Sequence, residues 1–589
     1  MHPRVELRRA AEAPRAVPLI PHRSRGLRGP PMKNRHPLRL SLMCAWTLLA
    51  AGCSPDLAPG AEDADSATPG TTTAALLELD LRTKGAACNG TTNDLPAFIA
   101  AFKSLASAGG GTLLVPAGNC LVKTTTTNEM LTIPANVTVR GVAGASRITL
   151  EADSALPERV RALFNIANRD ITLQDLELVR NQAPELARET KRTSALIILR
   201  PSSNFTMRRV VLDGQQTEEQ LAKELVAHGV MFASGGEGAL HRNIRMEQCT
   251  VRNLVYGLFQ ASNTYTNVSG IVVNQSTFEG NFKDDLEFNA PKADMADVEV
   301  SDSTFRDNRR VGYGAGFGIG LANVQGAVIR GNSFDNYRYE PIHIEDRSSK
   351  VLVEGNTFTR SYTAVHADTT WRSHIFIINN SHDVTVRGNH FDMSANTQPI
   401  QAIYASPGGS IYPPYGLRIE QNTFVLGTHG QRFLFSEVKD VVLNDNPVYV
   451  SDMPWLSQTN GVGPAERDRS NGDRGATDGH TLSLAGVKYA KGVGVHATSE
   501  IVIHLGGQYS RFKSHIGVDD SMGSAGTVVF SVIDEQGNVL FQSGTLKGTS
   551  TTQVVDVDVV DKQQLRLLVG NAGDGGTCDH GDWAGARLD

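Results

Sequence analysis

A short phrase recurs along the middle of the chain, and it restricts the fold more than any other feature. Each copy holds an apolar strand, a polar turn, and then Asn or Ser shortly before a Phe, and successive copies are 24 to 33 residues apart. This period is typical of a solenoid, in which coils stack because no coil can bury its own apolar face. We expect an all-β chain built on a right-handed parallel β-helix, with the Phe side chains in its bore and the Asn in left-handed turns, a structural rather than catalytic role. The copies end at Phe278, Phe305, Phe334, Phe358, Phe391 and Phe424.

The segment that precedes the repeats predicts the only long helix. It reads DLRTKGAACNGTTNDLPAFIAAFKSLASAGGGTLLVPAGNCLV. We expect a helix from about Leu95 to Ala106, with an Asn93-Asp94 cap before it. This stretch resembles the N-terminal cap of the pectate-lyase superfamily, which implies a β-helix and says little about the reaction. The predicted buried face of the helix consists of Phe98, Ile99, Phe102 and Leu105.

From about Tyr449 the repeat gives way to alternating strands bounded by Gly, Asp and Asn, which predicts an antiparallel, jelly-roll-like β-sandwich. The motifs KGVGVHA, RF-x4-GVDD and DHGDWA occur there in order. They closely resemble the carbohydrate-binding module of glycoside hydrolase family 98 and related proteins, called NPCBM. The resemblance implies binding of a galactose-type or related neutral sugar. The residues shared with the family either bind the sugar or build the loops of the sandwich. They are His496, Asp519, Asp520, Asp579, His580, Asp582 and Trp583.

The N-terminal residues predict export. From Met32, the expected true start, a basic stretch is followed by an apolar run and by small residues before Cys53. This order resembles a bacterial lipoprotein signal. A membrane-spanning helix is disfavoured, because the apolar run is shorter than the roughly 20 residues that such a helix needs. We expect lipidation at Cys53 and a location at the outer membrane or cell surface, or in the periplasm. The predicted divisions are a signal region (1–53), a solvated tether (54–75), the β-helix with its cap (76–448) and the sandwich (449–589).

Charge and cysteine content exclude several partners. A net charge of -6 over 589 residues gives no reason to expect a nucleic-acid partner, so we expect a glycan partner and contact with a membrane only through the lipid. No cysteine spacing indicates zinc, and no metal or cofactor is predicted. Cys88 and Cys120 could pair in an oxidising compartment, and Cys249 is expected to be a buried thiol.

Stacking the coils places candidate catalytic residues on one face. Alternate side chains of a strand point to opposite sides of its sheet. If Leu286, Phe288, Ile342 and Ile344 face the bore, then Asp285, Glu287 and Asn289 face outward on one coil, with His343 and Glu345 outward two coils later. The sequence therefore predicts a groove lined by Asp285, Glu287, His343 and Glu345.

The coil between these acids is rich in glycine. Its run YGAGFGIGLA would give a bare groove floor at Gly316, Gly318 and Gly320, on which a sugar ring could approach the backbone. A register shifted by one residue would expose Phe317 and Ile319 instead, as a stacking platform.

Acids on either side of a groove favour glycoside hydrolysis. That reaction needs a carboxylic acid to protonate the leaving oxygen and a carboxylate to activate water or attack carbon. We expect Glu345, beside His343, to be the general acid and Asp285 or Glu287 to be the base. The Asp284-Asp285 pair also locally resembles the paired aspartates of β-helix polygalacturonases and α-1,3-galactosidases, although Asp284 alone would serve as a turn cap.

Two alternatives remain open from the sequence. A polysaccharide lyase acting on a uronate would need cations and a base, for which Arg309, Arg310, Arg338 and His343 are available. A surface glycan-binding protein would need no catalytic residue at all.

The sequence does not fix the register of four further residues near the groove, which are Asp346, His366, Asp368 and His374.

Overall fold

The computed structural model describes residues 77–124, 131–152, 162–180, 194–215, 227–236, 238–260, 265–290, 292–308, 316–362, 372–408 and 410–589. Cys53, the predicted signal region and the predicted tether lie outside these residues, as do Arg309, Arg310, His366 and Asp368. Within the described part of the chain, no helix is long and apolar enough to cross a membrane.

The β-helix contains a sheet of parallel strands that we call sheet 1. Each of its strands pairs with the strand one coil earlier and one coil later, as predicted from the repeat. Its strands in the described residues are Leu131–Thr132, Ala162–Ile166, Ser194–Leu199, Ala227–Phe232, Tyr256–Gln260, Leu286–Asn289, Ile319–Ala322, Ile342–Glu345, Ser373–Ile377, Ile400–Ala405 and Gly430–Phe435.

The remaining strands of the β-helix form sheet 2, which covers the rest of the coil wall. Most coils contribute two short strands to it, separated by a bend. Its strands in the described residues are Leu77–Asp80, Asn89–Asn93, Gly111–Leu114, Gly118–Thr124, Val137–Arg140, Ser146–Ala152, Ile171–Arg180, Ser203–Asp213, Leu240–Glu247, Thr250–Arg252, Asn267–Asn274, Thr277–Glu279, Met295–Ser301, Thr304–Arg306, Val324–Gln325, Val328–Arg330, Ser333–Tyr337, Ser349–Glu354, Thr357–Ser361, His382–Arg387, His390–Asp392, Tyr415–Glu420, Thr423–Val425 and Lys439–Asn444.

The repeated phenylalanines fill the bore, which confirms the prediction. Their rings form one continuous stack in which neighbouring centroids lie 4.8 to 5.4 Å apart and neighbouring planes differ by 3 to 15°. All six of these residues are fully buried: Phe278, Phe305, Phe334, Phe358, Phe391 and Phe424. The stack therefore joins successive coils through one apolar column.

The repeated asparagines are structural, but they do not adopt the predicted left-handed conformation. The residue before each one does so instead, for example Gly331 before Asn332 and Gln421 before Asn422. The Asn side chain turns inward and is buried. Its amide oxygen accepts hydrogen bonds from the backbone and side-chain N–H groups of the equivalent residue one coil earlier, in the ladder Asn332, Asn356, Asn389, Asn422 and Asn446.

The N-terminal cap agrees closely with its prediction. The helix is Leu95–Ser107, and a short 3-10 helix, Leu81–Lys84, precedes it. Phe98, Phe102 and Leu105 are buried, whereas Ile99 is 54% exposed, so its assignment to the buried face was wrong. Cys88 and Cys120 form a disulfide, and Cys249 is a buried free thiol.

The C-terminal region is an antiparallel sandwich of two sheets. One sheet contains Val448–Tyr449, Glu466–Arg467, Gly492–His496, Arg511–Val518, Gln553–Asp558 and His580–Leu588. The other contains Trp455–Thr459, Ser499–His504, Thr527–Asp534, Val539–Gln542, Leu546–Lys547 and Gln564–Gly570. A hairpin of Leu482–Leu484 and Val487–Tyr489 and the 3-10 helices Val450–Asp452 and Asp520–Met522 complete the region.

Arg432 connects the last coils of the β-helix to the sandwich. Its guanidinium donates to the carbonyl oxygen of Asn446 at 2.9 Å and to that of Gln508 at 2.8 Å. The same group lies 4.4 Å from the centre of the Tyr509 ring. Because Arg432 is buried, this contact joins the two domains through a desolvated cation rather than through a surface ion pair.

Candidate active site

The predicted register of sheet 1 is confirmed on the inner side. Leu286, Phe288, Ile342 and Ile344 are fully buried in the bore. Glu287 and Glu345 are outward and partly exposed. Glu287 pairs with Gly320, and Gly320 pairs with His343 on the next coil, so these three positions form one outward row.

Asp285 does not face the groove, contrary to the prediction. It precedes the strand Leu286–Asn289, and its carboxylate is turned into the protein, where Asn281 Nδ2 donates to it at 2.7 Å and the Tyr337 hydroxyl also donates to it. The residue is 1% exposed. Burial raises the pKa of Asp285 to about 7, against the opposing effect of these two hydrogen bonds. Alternation fails here because the chain bends into a corner before the strand begins.

Asp284 takes the place expected for Asp285. Its carboxylate accepts hydrogen bonds from the backbone N–H groups of Gly316 and Phe317, the latter at 2.7 Å, so it does cap a turn as predicted. It also hydrogen-bonds the carboxyl group of Glu287. Burial raises the pKa of both groups, and for Glu287 the charge of Asp284 raises the pKa further, to well above its usual range. Two adjacent buried carboxyl groups of this kind titrate as a pair that shares one proton.

The glycines do not form an open floor, although the register that turns Ile319 inward is the one predicted. A Cβ on Gly320 would lie 2.6 Å from Glu287 Oε2 and 3.2 Å from Phe317 Cδ2. A Cβ on Gly318 would lie 3.1 Å from Phe334 and from the Tyr337 hydroxyl, and the N–H of Gly316 is used by Asp284. The space above Gly320 therefore holds the Glu287 carboxyl group, and the glycine coil is what allows that group to lie flat on the sheet.

His343 is held between two glutamates. Its Nδ1 lies 2.7 Å from Glu340 Oε1, and its Nε2 lies 3.4 Å from Glu345 Oε2. Burial lowers the pKa of His343, but the hydrogen bonds and charges of Glu340 and Glu345 outweigh burial and raise it to about 10. The imidazole is therefore a cation at neutral pH. Burial raises the pKa of Glu345, but the contact with His343 outweighs it and leaves that pKa below its usual value.

Sequence reasoning missed Glu340, and it turned Phe317 outward only in the alternative register, as a stacking platform. The Phe317 ring stacks on His343 with centroids 4.2 Å apart and planes 21° apart. Glu340 is buried and also accepts a hydrogen bond from the Tyr362 hydroxyl at 2.6 Å. The register of the coils contained a signal for these residues. Leu286, Ile319 and Ile342 are paired inward positions on successive coils. The residue two places before each of them belongs to the cluster, and these residues are Asp284, Phe317 and Glu340.

For a hydrolase, the pKa directions favour the opposite assignment of acid and base from the predicted one. A general acid must hold a proton at the working pH, and the raised pKa of Glu287 meets that need. A general base must be ionised, and the lowered pKa of Glu345 meets that one. Asn289 supports the pair, since its Nδ2 donates to Glu287 Oε1 at 3.1 Å and it lies on the same outward row as Glu345.

The other residues named around the groove contribute less. His374 is buried beside Phe358 and Phe391, and burial lowers its pKa to about 3, so it is a neutral part of the interior. Asp346 follows the strand of Glu345 and is half-buried, with Asn379 Nδ2 donating to it at 3.3 Å. Arg338 lies in the bend before Glu340.

Several of the C-terminal motif residues lie in the interior, which favours the structural one of their two predicted roles. Trp583 is 0% exposed and its ring packs edge-on against Phe530 at 4.8 Å, so it has no face for a sugar. Asp582 is 0% exposed, and burial raises its pKa well above the usual range. Asp519 and Asp579 are buried and accept hydrogen bonds from the backbone N–H groups of Ser521 and Thr527.

His496, His580 and Asp520 remain near the surface of the sandwich. Asp520 is exposed and accepts hydrogen bonds from the Ser483 hydroxyl and from the N–H of Gly486 at 2.8 Å. The rings of His496 and His580 lie 5.0 Å apart. Both histidines are largely buried, with exposed fractions of 6% for His496 and 5% for His580.

Comparison with protein families assigns both regions. The family described as "Right handed beta helix region" matches residues 228–424. The family described as "NPCBM/NEW2 domain" matches residues 446–589.

Two curated relatives share part of the chain. A putative endo-alpha-N-acetylgalactosaminidase of Renibacterium salmoninarum is 39% identical over 141 residues, which are 24% of this chain and 9% of that protein. An alpha-1,3-galactosidase B of Akkermansia muciniphila is 31% identical over 125 residues, which are 21% of this chain and 15% of that protein. The chain thus spans only a small part of either relative.

Two solved structures resemble the two regions. A CBM51 module from a GH95 protein of Clostridium perfringens, solved with methyl-galactose, is 35% identical, covers 24% of this chain and 100% of that module, and has a TM-score of 0.23. The A-module of a mannuronan C-5 epimerase from Azotobacter vinelandii is 14% identical, covers 64% of this chain and 96% of that module, and has a TM-score of 0.36.

Proposed function

Because the chain joins a right-handed β-helix region to an NPCBM/NEW2 carbohydrate-binding domain, we propose that it is an exported enzyme that hydrolyses a glycan on sheet 1. The observation that carries this proposal is the raised pKa of Glu287, beside Asp284, opposite the lowered pKa of Glu345, since these directions favour one protonated and one ionised carboxyl group. Glycoside hydrolysis requires one carboxyl group in each of these states.

In the proposed mechanism, Glu287 donates its proton to the glycosidic oxygen. Asp284 keeps that proton available by raising the pKa of Glu287 through its charge and hydrogen bond. Glu345 accepts the proton of the attacking water, and the His343 cation orients its carboxylate. Glu287 and Glu345 are two coils apart, about 9 to 10 Å at the backbone, which is compatible with the roughly 6.5 to 9.5 Å carboxyl separation of inverting enzymes.

A neutral, galactose-type glycan is the proposed substrate class. Among the described residues of the groove, Asp284, Glu287 and Glu345 are acids, and the charge of His343 is balanced by Glu340 and Glu345, which favours a neutral glycan over a uronate. The two relatives carry names of enzymes that act on galactose-type sugars, an N-acetylgalactosaminidase and a galactosidase. The C-terminal domain would bind such a sugar near His496, His580 and Asp520, and Cys53 would carry the lipid anchor of the exported protein.

Purified full-length protein should release reducing ends from at least one member of a polysaccharide panel rich in galactose and N-acetylgalactosamine. On that substrate, Glu287→Gln and Glu345→Gln should each lower kcat by about 10³, because each removes a proton-transfer group. The kcat/KM profile should be bell-shaped, with the acid limb lost in Glu345→Gln and the alkaline limb lost in Glu287→Gln. Glu437→Gln, which changes an exposed glutamate of the last coils, should leave activity unchanged.

Three results would contradict the proposal. Products that absorb in the ultraviolet would indicate elimination, and therefore a lyase. Saturable glycan binding with no released product would indicate a surface binding protein. Full activity in the Glu287→Gln and Glu345→Gln variants would place catalysis elsewhere on the β-helix.

A further inference from the structure

Two histidines and an aspartate of the C-terminal sandwich bring their side-chain ligand atoms together. His496 ends the strand Gly492–His496, His580 begins the strand His580–Leu588, and the two residues face each other across the sheet. Asp473 lies in a neighbouring loop. One ligand atom from each of the three residues lies within 4.8 Å of the other two.

Both histidines use the same ring nitrogen, Nδ1, for a hydrogen bond to a carbonyl oxygen. His496 Nδ1 lies 2.8 Å from the carbonyl oxygen of Ala497, and His580 Nδ1 lies 3.0 Å from that of Asn471. A carbonyl oxygen only accepts hydrogen bonds, so each Nδ1 must carry the hydrogen. In the neutral rings, each Nε2 then presents a lone pair. This Nδ1–H to carbonyl contact is the usual support of a histidine that binds a metal through Nε2.

The separations also suit one tetrahedral ion. His580 Nε2 lies 3.4 Å from Asp473 Oδ1, which is long for a hydrogen bond. Two ligand atoms bound to one tetrahedral zinc ion at about 2.0 to 2.1 Å are about 3.3 to 3.4 Å apart. The two imidazole rings have centroids 5.0 Å apart and planes at 71°. Rings that share a tetrahedral ion through Nε2 would have centroids roughly 5 Å apart.

We propose that His496, His580 and Asp473 bind a divalent transition-metal ion, with zinc as the best match to two imidazoles and one carboxylate. Three protein ligands leave a fourth position for water or for a hydroxyl group of a ligand. This inference goes beyond the proposed function, because it stands on the geometry of the three side chains and requires neither hydrolysis nor sugar binding.

Hydrogen bonds within the protein fix the loop that carries Asp473, and the site is open to solvent on the side of that residue. The Glu466 carboxylate accepts hydrogen bonds from the N–H groups of Gly472 at 2.7 Å and Gly479 at 3.1 Å, which fixes the loop that carries Asp473. The side chain of Asp473 is 51% exposed, whereas that of His580 is 7% exposed. An ion can therefore enter from the side of Asp473 and reach the buried histidines.

The test is zinc binding by the full-length protein after treatment with a chelator. Calorimetric titration with zinc chloride should give one ion per chain for the unaltered protein and at least a tenfold weaker dissociation constant for Asp473→Asn. Asp561→Asn is the matched control, because Asp473 and Asp561 are both exposed and both left-handed, with φ of 70° and 61°, a conformation that Asn accepts. The control should bind zinc like the unaltered protein.

A second measurement separates loss of the site from loss of the fold. Without zinc, the unaltered protein and both variants should unfold at the same temperature. At the same zinc concentration, zinc should raise the unfolding temperature of the unaltered protein and of Asp561→Asn, and it should raise that of Asp473→Asn less, because the stabilisation by a bound ion grows with the logarithm of its affinity. Absence of zinc binding by the unaltered protein, or unchanged binding in Asp473→Asn, would overturn the proposal.

Discussion

At the scale of the residue, the chemistry of Glu287 depends on a missing side chain as well as on its neighbours. Burial and the charge of Asp284 raise its pKa well above the usual range. The absence of a Cβ at Gly320 lets the carboxyl group lie against the neighbouring coil, where Asn289 fixes its other oxygen. The group is therefore held in one position before any substrate arrives, which is how a general acid becomes effective.

Gly320→Ala tests this dependence. The new methyl group would lie 2.6 Å from Glu287 Oε2, so the end of that flexible side chain must move while the backbone stays. We expect kcat to fall about 10- to 100-fold, since small displacements of a proton donor are costly, with a small change in unfolding temperature. Gly544→Ala is the control, because its methyl group would enter open space. Equal activity of both variants would show that the position of Glu287 is not critical.

The sequence predicted the part of this site that lies on regular strands. Alternation correctly turned Leu286 and Phe288 inward and left Glu287 and Glu345 outward, because a strand has a period of two. It failed at Asp285 and missed Glu340, which lie at corners where the period ends. It also could not assign the acid and the base, because their pKa values depend on contacts across coils, such as that between His343 and Glu345.

At the scale of the element, the asparagine ladder supplies the hydrogen bonds that the turns of sheet 2 would otherwise lack. Asn389, for example, accepts from the backbone N–H and the Nδ2 of Asn356, and its own Nδ2 donates to the Val353 carbonyl oxygen at 3.0 Å. All of these atoms are buried, so each would remain unsatisfied without its partner. Ser276 and Ser303 occupy the equivalent position in earlier coils, and the Ser303 hydroxyl accepts from the N–H of Ser276.

Asn389→Ala should destabilise the β-helix by about 3 kcal/mol, because it leaves buried donors and an acceptor without partners. Asn389→Ser should cost clearly less, since serine restores one acceptor in the manner of Ser303. Thermal and denaturant unfolding of the two variants, beside the unaltered protein, measure the difference. If Asn389→Ala and Asn389→Ser lower the free energy of unfolding equally, the ladder stabilises the coil by filling space and not by its hydrogen bonds.

At the scale of the whole molecule, the β-helix and the sandwich share a desolvated contact around Arg432. The arginine belongs to the last strand of sheet 1, Gly430–Phe435, and its partners Gln508 and Tyr509 belong to the sandwich. The sequence predicted both folds, the β-helix from its repeat and the sandwich from its alternating strands and motifs. It could not predict this contact, because nothing in the period or motifs of either domain marks Arg432.

Arg432→Ala should uncouple the two domains. It removes two hydrogen bonds and a cation–π contact, so we expect the two domains to unfold in separate thermal transitions where the unaltered protein shows one. The control is Arg418→Ala, which removes an exposed arginine whose ion pair with Glu420 is worth at most about 1 kcal/mol. A single, unshifted transition in Arg432→Ala would show that other contacts couple the domains.

The asparagine ladder ends in this same contact. Its last member, Asn446, gives its carbonyl oxygen to Arg432, and Arg432 is fixed in turn by the carbonyl oxygen of Gln508. A row of repeated hydrogen bonds needs a terminator, as the open end of any solenoid does. The sandwich supplies that terminator, so exchanging it for another sugar-binding module would succeed only where the incoming module also offers Arg432 an acceptor.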